Sequence, residues 1–333
     1  MNGITIIIPA YNAEGTLREC LQSITALKQS SRTEIILVND GSADKTSEIA
    51  ASFSNVKTID VPHKGAARAI NIGVKAANHD IIAIVEADVT LEKDWLEKII
   101  PAFDDPSVAA VGGCVVTANR SAIGKLAGYD VELRLGQAPA DIDNLSMTNT
   151  AYRRQILIEV GLISEDLKAG YDVDLSRRLK AAGYRLILKH EVRSRHYWKD
   201  NLGEYLRQQY NYAYYRMTLT RKFGLGKAHD RITGPGMILQ LPFTLLVLLF
   251  AIFGSLIFPW ATLTLFLMLL IHVPETILLL SKRRDIRILL LPLLFTVRNL
   301  SWVWASAVWE TRYLTRYVSP TVSSPGSGSA PGL

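Results

Sequence analysis

A chain of 333 residues, 49% of them hydrophobic, has room for two domains and is too apolar for one ordinary soluble domain. The formal charge of +6 admits nucleic acid as a partner. However, Lys and Arg crowd beside the apolar segments, from Arg207 to Lys227 and from Lys282 to Arg287, which fits an anionic membrane surface and argues against nucleic acid. Cys20 and Cys114 have no metal or redox spacing, so a reducing compartment is the default. Residues 1–235 read as a soluble α/β protein, whereas 236–309 are mostly Leu, Ile, Phe, Val and Trp.

In chain order, residues 5–8 predict a short strand broken by Pro9, too short for a secretory signal. The turn-rich loop AYNAEGT follows. Thr16-x-x-Glu19 reads as a capping box, and Leu17, Cys20, Leu21, Ile24 and Leu27 give one apolar helix stripe. A strand at 34–38 runs into Asn39-Asp40-Gly41-Ser42, a third strand covers 56–61, and Lys64-Gly65-Ala66 opens a helix to about Asn78.

The central stretch is 81–88, IIAIVEAD: a fully apolar run ending in two carboxylates one residue apart. Such a run reads as a strand buried on both faces. Unpaired carboxylates are costly at its end. Open α/β sheets bind ligands at the C-terminal ends of their strands. Oxygen ligands placed there suit a hard divalent cation with substrate phosphates. A helix near 94–103 and a strand at 108–116 complete an alternation that predicts a parallel, doubly wound sheet.

Residues 118–145 have weak periodicity and predict loop and short helix over the site; 152–160 predict a helix capped by Gly161. A helix at 174–182 ends at Gly183, and a strand follows at 184–188. The helix at 204–222 carries Tyr205, Tyr210, Tyr212, Tyr214 and Tyr215 among several Arg, a composition suited to the membrane interface. Residues 238–258 hold no charge and are long enough to span; 263–280 can span back, with the basic SKRRDIR loop then cytoplasmic. A third candidate, 288–309, is interrupted by Arg298 and Asn299, and Trp302, Trp304 and Trp309 read as interfacial anchors. From Ser319 the chain is a linker-like tail. The expected division is therefore 1–202, 203–235, 236–318 and 319–333.

The order ITIIIPAYNAE, IILVNDGSADKT, KGAARAINIGVKAANHDIIAIVEADV and GYDVDLSRRLKAAGYRL resembles the family 2 inverting glycosyltransferases of GT-A fold, over about residues 3–200. The resemblance implies a GT-A nucleotide-sugar-binding domain followed by a C-terminal helical transmembrane or interfacial region. It places the nucleotide base at Pro9, Ala10, Tyr11 and Glu14, with Tyr11 stacking on the ring. Asp40 would read the base's NH edge, or else form an Asx turn with Gly41. Lys64, Gly65 and Arg68 would lie near the base and diphosphate. Glu86-Ala87-Asp88 stands where the family has Asp-x-Asp. Asp88 would ligate Mn²⁺ or Mg²⁺, and Glu86 would contact ribose or metal. His196 falls where several relatives bring a His to the metal or diphosphate. Asp172 matches the general base that deprotonates the acceptor hydroxyl. Tyr171 replaces the family's usual Glu beside it, and Asn149 borders the acceptor. Asp174 reads instead as a helix-start carboxylate paired with Arg177 and Arg178.

Processive synthases carry Gln-x-x-Arg-Trp. The nearest match here, Gln208 to Tyr212, has Asn for Arg and Tyr for Trp, which argues against processive polymerisation. The expectation is an integral cytoplasmic-membrane enzyme with its catalytic domain on the cytoplasmic side. It would move one sugar, UDP-linked, to a hydroxyl of a lipid-linked saccharide or cell-envelope glycan. The alternatives are a polyprenyl-phosphate glycosyltransferase and a non-catalytic membrane binding protein that keeps the fold.

Overall fold

The computed structural model describes residues 3–28, 33–224 and 268–318, together with positions 240, 242, 244, 245 and 266. Strand β1 (Ile4–Ala10), helix α1 (Leu17–Thr25), β2 (Thr33–Asp40), α2 (Thr46–Ala51), β3 (Val56–Val61), α3 (Ala66–Ala76) and β4 (Ile81–Val85) alternate as the sequence predicts. Next come β5 (Val89–Leu91), α4 (Trp95–Ile99) continued by a 3-10 turn at Ile100–Asp104, and β6 (Val108–Thr117). Then follow α5 (Ala122–Gln137), β7 (Asn149–Arg153), α6 (Arg154–Glu159), α7 (Tyr171–Ala181), β8 (Arg185–His196) and α8 (Leu202–Phe223). The C-terminal part provides α9 (Val273–Arg283), a 3-10 turn at Ile286–Leu290, and α10 (Leu291–Val318).

Eight strands form one sheet in the order β3-β2-β1-β4-β7-β6-β8-β5. The first four are mutually parallel. β7 is antiparallel to both β4 and β6, and β5 is antiparallel to β8. The doubly wound α/β architecture is present, but the sheet is mixed rather than wholly parallel. The difference lies in β7, whose sequence NTAYR has no apolar run; it is a strand because pairing on both sides satisfies its backbone. β4 shows why both faces of the centre are apolar. Ile81, Ala83 and Val85 join the core beneath α1 and α4, while Ile82 and Ile84 join the core beneath α3 and α7. Each branched side chain so buried contributes about 1.5–3 kcal/mol.

Three local expectations are corrected. Pro9 does not end β1, which runs to Ala10; β4 pairs only with Ile4 to Ile7, so the missing N–H falls where β1 has a neighbour on one side. The Thr16 hydroxyl makes no capping bond, and Glu19 instead accepts from Tyr197 Oη at 2.6 Å. Residues 122–137 are a full helix, α5, whose small residues let it lie close to the sheet: a Cβ on Gly128 would collide with Thr117 and Trp198.

The segment 238–258 lies outside the described residues apart from isolated positions. The segment 263–280 is not one helix where it is described: the chain turns at 271–272 and α9 begins at Val273, with Pro274 in its first turn. Ile286–Thr315 is long and apolar enough to cross a membrane. α10 runs beside α8 in the same direction: Ser301 donates to the Leu206 carbonyl at 3.2 Å, Trp302 to Gln209 at 3.2 Å and Trp309 to Thr218 at 2.9 Å. Two of the three predicted tryptophan anchors therefore bind α8, and Trp304 alone of the three is strongly exposed, at 66%.

Candidate active site

The site forms at the C-terminal ends of the central strands. The turn after β4 is held by backbone bonds from Glu86 N to the Thr148 carbonyl, Val89 N to the Glu86 carbonyl and Tyr197 N to the Asp88 carbonyl. β5 then pairs at the far edge of the sheet, with Val89 opposite His196. That register carries Asp88 beside His196, although they are far apart in sequence. The ligand atoms of Glu86, Asp88 and His196 lie within 4.8 Å of one another. His196 Nε2 is 3.3 Å from Asp88 Oδ1 and 3.8 Å from Glu86 Oε2.

Charge is concentrated here. Burial and the adjacent Asp88 charge push Glu86 up to about 7. Burial also disfavours ionisation of Asp88, but His196 outweighs it and holds the carboxyl below its ordinary range. Burial of His196 opposes its protonation, yet the Asp88 and Glu86 carboxylates raise its pKa above the usual imidazole value. Among the described residues, Asp88 Oδ1 and His196 Nδ1 are buried without a hydrogen-bond partner. Two carboxylates and an imidazole fit a divalent cation such as Mn²⁺ or Mg²⁺, which takes oxygen and nitrogen donors and relieves the repulsion between acids.

The predicted base-binding residues gather at the ends of β1 and β2. Pro9 and Ala10 close β1, and the loop after them is stitched to the next: Asn12 Oδ1 accepts from Ala43 N at 2.9 Å and Glu14 Oε2 from Lys45 N at 3.1 Å. Asp40 is buried, and its carboxylate accepts from Lys64 N at 2.9 Å and Gly65 N at 2.8 Å. His63 Nδ1 sits 2.8 Å from the same carboxylate, and the His63 ring stacks on Tyr11 at 4.0 Å. Sequence reading missed His63. Lys64 is exposed and Arg68 half-buried near the start of α3, while Ala87 is buried in the acid turn.

On the other side, Tyr171 and Asp172 occupy the first turn of α7, one turn earlier than the helix was predicted to begin. Burial, then the charges of Glu86 and Asp172, push the Tyr171 phenol well above its ordinary range. Desolvation of the phenol, then the Glu86, Asp172 and Asp88 charges, also push Tyr212 of α8 upward, although the residue as a whole is half exposed, so α8 brings a phenol toward these acids. Asn149 is placed differently: it is buried in β7, accepts from Gly113 N at 3.3 Å and donates to Ser194 Oγ at 2.7 Å, so its amide is spent inside the sheet. The segment after β8 is clasped by Asn119, whose amide accepts from Trp198 N and donates to the Trp198 carbonyl, both at 2.7 Å. The Trp198 ring packs edge-on against His196 at 4.1 Å. No motif marked Asn119 or Trp198; their pairing needs the folded loop.

Residues 5–161 match the model of glycosyl transferase family 2. The chain is 27% identical over 215 residues to glycosyltransferase AglE of Haloferax volcanii, covering 62% of this chain and 70% of that protein. It is 31% identical over 196 residues to the pre-mycofactocin glycosyltransferase of Mycobacterium tuberculosis, covering 55% of this chain but only 40% of the relative. A mannosyltransferase from Pyrobaculum calidifontis, solved with GDP-Man and Mn²⁺, has the same fold at a TM-score of 0.62 and 18% identity, over 92% of this chain and 86% of that one. Residues 5–161 thus match the family 2 glycosyltransferases, and the chain has the GT-A fold.

Proposed function

We propose that this is a membrane-associated, metal-dependent inverting glycosyltransferase. In this reading it moves one sugar from a nucleotide-sugar, UDP-linked, to a hydroxyl of a lipid-linked saccharide or cell-envelope glycan. The observation that carries it is the grouping of Glu86, Asp88 and His196 beside Asp172, at the strand ends where the nucleotide-sugar of a GT-A domain lies. Glu86, Asp88 and His196 would hold the cation, which when bound neutralises the charge of the departing diphosphate. Tyr11, the 9–14 loop and Asp40 shape the base pocket, and Lys64 and Arg68 supply positive charge toward the diphosphate. Asp172 accepts the proton of the acceptor hydroxyl as its oxygen bonds to the anomeric carbon. The bond from that carbon to the diphosphate oxygen breaks on the opposite face, and a single displacement inverts the configuration. Tyr171 and Tyr212 border the acceptor.

The membrane reading rests on the length of the Ile286–Thr315 segment and on the apolar outer faces of α9 and α10. The basic residues from Lys282 to Arg287 favour the cytoplasmic side. Purified protein in nanodiscs, screened with UDP- and GDP-sugars and Mn²⁺ or Mg²⁺, should release nucleoside diphosphate from one donor, and faster with membrane lipid extract. Asp88→Asn should lose metal-dependent nucleotide binding. Asp172→Asn should keep that binding and lose transfer by about 10²–10⁴-fold. An Asp172→Asn enzyme that still glycosylates a polyprenyl phosphate, an acceptor already ionised, would replace the hydroxyl acceptor in this reading.

A further inference from the structure

The last turn of α8 sits on the first turn of α7. Gly170 precedes α7 in a left-handed conformation, φ +74°, and a Cβ there would lie 2.9 Å from Leu219 Cδ1. Leu219 is buried. Farther along both helices, Lys222 Nζ donates to Asp174 Oδ1 at 2.7 Å. Asp174 is fully buried, and its other oxygen accepts from Arg178 Nε at 2.9 Å and Ser164 Oγ at 2.6 Å. The Arg177 guanidinium lies over the Phe223 ring at 4.9 Å, beside the same contact.

A buried carboxylate is strongly destabilising when its partners are removed, so it fixes the segments that supply them. Ser164 precedes α7, and Arg178, on α7 itself, also donates to the Val160 and Leu162 carbonyls, so these contacts hold α7 to the sheet domain. Lys222 adds something different: it ties that carboxylate to α8, the helix that also bears Tyr212 and packs along α10. Asp172 lies in the same helical turn as Asp174.

We propose that Lys222 and Asp174 form a clamp through which α8 positions Asp172 for proton transfer. Both are positioning residues that touch no substrate. The inference rests on Asp172 being the general base, and it adds that the base is aligned from the membrane-facing helix rather than by the sheet domain alone.

The test uses full-length protein in nanodiscs, with UDP and Mn²⁺ as the binding probe. Transfer is measured to membrane lipid extract from the donor that the screen identifies. Lys222→Met should leave UDP affinity and donor KM unchanged, lower the melting temperature modestly because Ser164 and Arg178 still pair Asp174, and, assayed well below that midpoint, lower kcat roughly ten- to a hundredfold, the scale of a small misplacement of a reacting group. Lys222→Arg should restore most of that rate. Lys222→Met added to Asp174→Asn should slow the enzyme no further, because the two changes break one interaction. A wild-type kcat in Lys222→Met, with Asp172→Asn inactive, overturns the clamp and leaves the base in place. A loss that follows UDP affinity or melting temperature, or that Lys222→Arg does not rescue, also overturns it. Full transfer by Asp172→Asn removes the base assignment and the clamp together.

Discussion

The sheet domain and the C-terminal helices are built with opposite polarity. In the sheet domain, Ile81 to Val85 are buried on both faces while the charged side chains of α1 and α3 face outward. In α9, α10 and the turn between them, Ile277, Ile286, Leu293 and Trp304 are exposed, whereas Arg298 and Asn299 are buried, as is His272 just before α9. Arg298 Nη2 donates to Gln240 Oε1 at 2.7 Å, and its Nη1 lies 3.8 Å from Asp130 of α5. Asn299 Nδ2 and His272 Nε2 are 3.3 Å apart. The guanidinium also covers Phe295 and Trp302 at 3.8 and 4.5 Å. The two polar interruptions of the apolar stretch thus explain themselves: Arg298 ties α10 to Asp130 of the sheet domain, and Asn299 pairs with His272 within the C-terminal part. A single chain segregates its side chains in both directions when its two parts meet different solvents, which accords with the proposed membrane setting.

This contrast can be broken most directly at Arg298. Arg298→Met leaves Asp130 and Gln240 without that partner and should cost about 3–5 kcal/mol. The effect should be read as a lower thermal midpoint in detergent and faster proteolysis between α8 and α10. A midpoint that does not move would mean that the inward polar cluster holds nothing together. A second, smaller contrast compares two apolar truncations. Ile84→Ala in β4 should cost about 2–5 kcal/mol whether or not lipid is present. Leu293→Ala should change stability in detergent by less than about 0.5 kcal/mol. It should instead weaken binding to anionic vesicles in a flotation assay. Equal stability losses at the two sites would erase the distinction.

The smallest effect concerns pH. Burial raises the pKa of Asp174, but hydrogen bonds from Lys222 and Ser164 and the Arg178 charge outweigh it, so the folded-state value lies below the ordinary carboxylate range. A depressed folded pKa gives stability that is present above the unfolded value, about 3.9. That stability is lost as pH falls through the folded value. The gap in melting temperature between the wild type and Asp174→Asn should therefore hold near neutral pH and narrow below about pH 4.

Legibility in the sequence followed how local each determinant is. The run at 81–85 and the acids that end it announce themselves within eight residues, and so do the strand-helix alternation and the left-handed glycines after α6 and α7. β7 was missed because its five residues become a strand only between two neighbours. α5 was expected only as a short helix within a loop because its buried residues, Gly124, Leu126, Ala127, Gly128 and Asp130, include three small residues and an acid, which blur the apolar stripe. Thr16 and Glu19 have the spacing of a cap, but a tyrosine from beyond β8 claims the glutamate. Asp174 shows the same limit more sharply: its spacing pointed correctly to Arg178, while Lys222, 48 residues away, was invisible until α8 folded back.

β5 has a further consequence for how this enzyme comes into being. Val89–Leu91 leave the centre of the sheet to pair with Ser194–His196, strands that the chain delivers only much later. Until β8 arrives, Glu86 and Asp88 are neighbouring acids without the imidazole that balances them. The residues gathered at the ends of β1 and β2 all precede residue 161, whereas Asp172 and His196 follow it. A nascent chain would therefore hold the proposed base-side residues before it holds the strand that brings His196 to the acids. Pairings of such long sequence separation form slowly. An emerging or truncated polypeptide would thus be a nucleotide binder before it is an enzyme.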